Sequence, residues 1–139
     1  MKRVLKDGNT HILSAKRGQD LMEQIKMFCA EHHIEAAYFH VMGAAGEVEL
    51  AWYDLEAKQY GKEQLRENLE IVSLTGNVSK LGEDLVVHGH GVFSNAAMET
   101  KAGHVSKAVV SGACEVVLVQ LEGKLEREYD EETGLNLLR

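Results

Sequence analysis

From residue 69 onward the sequence reads almost wholly as strand. "LEIVSLTGNVS", "DLVVHGHGVFS" and "CEVVLVQLEG" are each rich in Val, Ile or Leu and bounded by Gly, Asn, Ser or Asp, which suits segments buried on a pleated surface. The one clear helix comes earlier, from Gln19 to about His32. There Asp20 followed by Glu23 predicts a capping box, and Leu21, Ile25, Phe28 and His32 fall on one stripe. Between helix and strands, "IEAAYFHVMGAAG" predicts a strand running into a glycine-punctuated loop at Gly43 to Gly46, and "EVELAWYDL" predicts the next strand. One long helix and a series of strands joined by short turns predict an α+β fold, a mainly antiparallel β-sheet with the helix packed on it, rather than a doubly wound sheet. The chain has no proline and no linker-like or repeated segment, so its 139 residues suit a single domain over 1–139.

The stretch "VVHGHGV" sets His88 and His90 one residue apart. Alternate residues of an extended chain share a face, so both imidazoles point one way while Gly89 and Gly91 leave the other face bare. That pattern is either a metal-binding edge or a matter of packing. His104, after "SNAAMETKAG", supplies a third histidine. Three protein ligands with an open fourth position are the form of a catalytic zinc site, and neutral imidazoles suit Zn, Fe, Ni or Cu. The metal reading requires His104 to fold back to within bridging distance of His88 and His90. A G-x5-H-x-H pattern from Gly82 also opens the first cupin motif, but Ser94 and Asn95 stand where that motif needs a glutamate, and the cupin fold is set aside.

Glu115 opens the strand "EVVLVQL" and shares a face with Val117, Val119 and Leu121. Either its carboxylate is aimed at a half-buried surface, as partner of a ligating histidine or as general acid/base, or it lies at a strand end and reaches solvent. Glu70 raises the same question. His32 and His33 close the helix at its C-terminal dipole. His11 and His40 read as lone strand histidines satisfied by hydrogen bonds. Thr75 to Asn77 and Met42 to Gly46 read as tight turns, since neither matches a phosphate loop, and the chain has no nucleophile elbow.

Fifteen basic residues against 22 acidic ones give a net charge of −7, the wrong sign for wrapping nucleic acid by neutralising phosphates. The densest basic grouping, Lys2, Arg3, Lys6, Lys16 and Arg17, reads as solvated surface. No segment approaches the roughly 18 consecutive apolar residues of a membrane span, and the N-terminus has no apolar h-region. Both point to a cytoplasmic protein with no membrane contact. Cys29 and Cys114, far apart and in apolar surroundings, predict buried thiols in a reducing compartment.

Several features together resemble the plants-and-prokaryotes-conserved (PPC) domain in its stand-alone prokaryotic form. They are the G-x-D-L helix start at Gly18 to Leu21, Gly43-Ala44, the E-I-x-S-L-x-G-N run from Glu70 to Asn77, the H-x-H pair, and Gly103-His104. The resemblance covers nearly the whole chain; Ala102 departs from it, where members often have a second glycine. It implies an α+β fold with a mainly antiparallel sheet, a homotrimer, and histidines at 88, 90 and 104 that hold a divalent transition metal, zinc first. It carries less specifically to Glu115. Family members are described as DNA-binding, a label that in plants belongs largely to an attached AT-hook with an Arg-Gly-Arg-Pro core. With no proline, this chain has no such hook. Two functions follow as expectations: a DNA-binding or regulatory homotrimer, or a hydrolase-type metal-dependent enzyme acting on a small polar or acylated ligand. A trimeric scaffold with a structural metal or none is the third.

Overall fold

Two long strands organise the chain in the computed structural model, which describes residues 1–139. They are β3 (Ala37–Asp54) and β7 (Thr100–Gln120). They pair antiparallel from Ala37 opposite Gln120 to Ala51 opposite His104, with register shifts at Gly43/Ala45, Ala45/Glu47 and Glu49/Leu50. Bulges of this kind bend a long ribbon so that it can wrap a core. The glycine-punctuated loop expected at Gly43 to Gly46 is therefore not a loop; the glycines lie within β3. A Cβ on Gly43 would fall on the Ala113 carbonyl oxygen of β7, so glycine is there for close approach of two backbones.

The remaining strands extend this ribbon. β5 (Leu69–Leu81) pairs with the first half of β3, β6 (Asp84–Ser94) pairs with β5, and the start of β7 pairs with β6. The sheet thus closes on itself through β3, β5, β6 and β7. β1 (Lys2–Asp7) and β2 (Thr10–Ser14) add to the far end of β7, and β4 (Gln59–Leu65) adds to the end of β3. A separate hairpin, β8 (Arg127–Asp130) and β9 (Leu135–Leu138), ends the chain. All these ladders are antiparallel, as the α+β reading expected. Thr75 to Asn77, read as a tight turn, lies mid-strand in β5. Gly76 faces Gly89 across the ladder, and a Cβ there would fall on the His88 carbonyl oxygen and strike the Phe39 ring.

The helix, α1 (Leu21–Glu31), is shorter than the span from Gln19 to His32 predicted for it. At its start the backbone is taken by β7, because Gly18 N–H donates to the Val110 carbonyl and Val110 N–H to the Gln19 carbonyl. Asp20 is the N-cap, accepting from Met22 N–H at 3.2 Å and from Ala108 N–H at 3.3 Å; no bond from Glu23 completes the box. At its end, His33 takes a left-handed conformation (φ 54°), His33 N–H reaches the Ala30 carbonyl and Ile34 N–H the Cys29 carbonyl. That is a Schellman stop, with histidine where glycine is usual. The apolar stripe of Leu21, Ile25 and Phe28 is buried in one core cluster with Phe39, Val41, Leu74, Val116 and Leu118 of the sheet.

His11 and His40 differ. His40 contacts Ser73 Oγ at 3.4 Å, as expected of a satisfied strand histidine. His11 is 2% exposed, packs edge-on to Phe28 at 5.6 Å, and neither ring nitrogen has a partner. It lies on the core face of β2 beside Leu13.

Candidate metal centre

The β6 strand turns Gly89 and Gly91 into the core and His88 and His90 to the opposite face, as strand alternation requires. The antiparallel register then sets His104 of β7 directly opposite His90. The ring centroids lie 5.1 Å apart for His88 and His90, 5.1 Å for His88 and His104, and 5.5 Å for His90 and His104. One nitrogen from each ring lies within 4.8 Å of the other two, close enough for the three to hold one metal ion.

The electrostatics suit a cation with neutral ligands. Burial, then the neighbouring His104, Arg127 and His90, pushes His88 down to about 4. Burial, then His90 and Lys62, lowers His104 as well. Both rings are therefore unprotonated at neutral pH, the form that ligates metals. His104 Nδ1 is buried with no hydrogen-bond partner, an uncompensated acceptor or donor that a metal or its surroundings would satisfy. Three imidazoles with no sulfur and no carboxylate match a borderline divalent transition metal and leave room for a further ligand.

Glu115 is not brought to this group. It is an exposed residue of β7, opposite Ser14 and Met42, eleven positions beyond His104 on the same strand. Strand length separates them, and the carboxylate takes the solvent-facing alternative. Glu70 is exposed on β5, opposite Ser94.

The sequence reading missed the wall beside the histidines. The β8–β9 hairpin folds back over β5 and β6, held by Arg127: its Nε donates to Ser79 Oγ at 2.8 Å, Nη1 to the Asn136 carbonyl at 2.8 Å and Nη2 to Asn77 Oδ1 at 2.9 Å. With Tyr53 and Tyr60 it lines an open cleft of about 470 Å³ that His88 and His104 also border. Tyr60 lies over His104, with ring centroids 5.3 Å apart. His90 borders shallower hollows on the same sheet face, one beside Ser73 and Thr75 and one shared with His88. The signal for the hairpin was present in "EYDEETGLNL", where Thr133 donates twice to Asp130 Oδ1 and Gly134 supplies the left-handed turn residue at φ 75°. A second hollow of about 500 Å³, between the helix end and the Leu121–Glu126 segment, is lined by Glu35, Glu83, Glu122 and Glu126 and lacks a ligand cluster.

No helix is long and apolar enough to cross a membrane. Among solved structures, a metal-containing protein from Archaeoglobus fulgidus is 38% identical, with a TM-score of 0.89, over 100% of this chain and 99% of its own. A candidate DNA-binding protein from Bacteroides thetaiotaomicron is 30% identical, with a TM-score of 0.94, over 97% of this chain and 94% of its own. A plant- and prokaryote-conserved protein from Pyrococcus horikoshii is 29% identical, with a TM-score of 0.90, over 100% and 97%. No curated protein matches the chain. The family that the glycines and histidines first suggested is thus matched in sequence and fold: over residues 2–122 this chain matches, and it belongs to, the Plants and Prokaryotes Conserved (PCC) domain family.

Proposed function

We propose that this protein holds a divalent transition metal, zinc by its donor set, on His88, His90 and His104, and that the centre acts on a small molecule. The carrying observation is the convergence of three imidazole nitrogens from two strands within 4.8 Å of one another. The 38% identical relative described as metal-containing supports it. When bound, such an ion supplies Lewis acidity for hydrolase-type chemistry on a polar or acylated substrate. The chain's own part is to keep His88 and His104 unprotonated, to orient them from adjacent strands, and to shield one side with the hairpin. Glu115 has no part in this reading within one subunit.

The test is elemental analysis of protein purified without an affinity tag, repeated on His88→Ala. About one transition metal per chain in the wild type, lost in the variant, is expected. No stoichiometric metal in either protein overturns the proposal.

Direct DNA contact is the second reading, favoured by the description of the Bacteroides relative. The net charge of −7 opposes it. An anisotropy titration at 50 mM salt is expected to detect no binding; salt-sensitive micromolar binding would reverse that. The homotrimer implied by the family is supported by the outer sheet face, where one register row runs Leu5, Ile12, Val117, His40, Thr75 and His90. The exposed Tyr38 and Met42 extend that row, with the charged Glu115 opposite Met42. Free, buried Cys29 and Cys114 support residence in the reducing cytoplasm.

A further inference from the structure

Arg127 carries a charge that its surroundings do not explain. Its three acceptors, Ser79 Oγ, the Asn136 carbonyl and Asn77 Oδ1, are all neutral, and no carboxylate lies within ion-pairing distance. A neutral donor could serve as the same staple. A half-buried cation without a counter-ion is costly, and burial lowers the Arg127 pKa from its ordinary value.

The position of that charge is specific. Asn77 is the register partner of His88, so the guanidinium that binds Asn77 stands beside the metal centre. The cavity between them is lined by no acidic residue, in a chain that has 22 of them. Lys58 at its edge likewise binds only a backbone carbonyl, that of Glu131 at 2.6 Å. Guanidinium has five N–H donors, of which the staple uses three, leaving two for a ligand. The rest of the lining includes Val86, Val87, Leu135 and Leu137, which favours an organic anion with an apolar part over a bare inorganic one. A volume of about 470 Å³ suits a small molecule.

We infer that this cavity binds a small organic carboxylate, whose charged end pairs with Arg127 while the remainder lies toward His88 and His104. The inference rests on the proposed metal reading for what happens at the far end of the ligand, but the anion site itself needs no metal. It names the substrate class of the centre: carboxylic acids of a few carbons, or esters and amides that retain a free carboxylate.

The experiment is an NMR titration of the wild-type protein, as purified and again after chelator treatment, with butyrate, its neutral analogue butyramide, and inorganic phosphate. Butyrate is expected to shift the Arg127 Nε–H resonance and those of Val86 to His88 in both preparations. Butyramide is expected to bind at least about tenfold more weakly, as is butyrate to Arg127→Gln. Phosphate is expected to compete weakly. Should Arg127→Gln fail to fold, the comparison of butyrate with butyramide on the wild type still decides. No response at Arg127, or equal responses to butyrate and butyramide, overturns the inference. Metal content separates the two readings. A metal-free protein with an Arg127 response sustains the anion site and removes the metal centre. A metal-loaded protein without that response does the reverse.

Discussion

Gly76 lies beside the three-histidine cluster, and the position of His88 depends on its having no side chain. A methyl group there would meet the His88 carbonyl oxygen, the Phe39 ring and the Gly89 backbone, none of which can swing away. Gly89 across the ladder meets only Leu74 Cδ2 and the Thr75 oxygen at 3.3 Å and Met22 Cε at 3.4 Å, two of them flexible side-chain ends. Gly76→Ala is therefore expected to destabilise by about 3 kcal/mol and Gly89→Ala by about 1 kcal/mol, on the scale of overpacked cores; urea midpoints of the two variants check the order. His11 presents the opposite case, a buried polar ring with no partner. His11→Phe keeps a ring against Phe28 and is expected to stabilise by about 1 kcal/mol, the low end of the penalty for an unsatisfied buried group. At this scale the sequence carried the essential pattern. Alternation alone aimed His88 and His90 to one side. Nothing local to His11 indicated that its ring nitrogens would go unpartnered.

At the scale of elements, the Asp20 side chain joins helix to sheet through its bonds to Met22 N–H and Ala108 N–H. Asp20→Ala is expected to cost about 1–2 kcal/mol, more than a cap of the helix alone, while Asp20→Asn costs little; thermal melts distinguish them. The helix face and the boundaries of β6 follow from periodicity and turn residues, and were readable for that reason. The loop expected at Gly43 to Gly46 and the turn at Thr75 to Asn77 were not loops because glycine has two uses. It permits turns, and it permits a neighbouring backbone or ring to come close. Only the partner strand tells them apart, and for Gly43 that partner is Ala113, seventy residues away. The hairpin's place over the histidines was hidden for a related reason. Arg127 meets Asn77 and Ser79 only after β5 and the C-terminus have docked. For Glu115 the sequence left two alternatives open, and only its place on β7, opposite Ser14 and Met42, chooses the solvent-facing one.

For the whole molecule, the acidic charge and the buried histidines set how stability responds to pH. His11, His88 and His104 all have lowered pKa values, in each case chiefly through burial. In the unfolded chain an imidazole takes up a proton near its ordinary value of 6.5, whereas folded His88 does so only near about 4. Between those values the unfolded state binds more protons, so stability rises with pH. The contribution is complete above 6.5 and is lost as pH falls toward 4. Urea midpoints of chelator-treated protein are expected to climb across this window, with a shallower climb for His11→Phe. A flat or descending profile would contradict the buried, neutral state of these rings.

The closed sheet offers three histidines to one metal ion. X-ray absorption at the edge of the bound metal reads this most directly. The expected spectrum contains three imidazole nitrogens at about 2.0–2.1 Å, falling to two in His104→Ala prepared with added metal. A first shell containing sulfur, or one in which oxygen replaces the imidazoles, would contradict it.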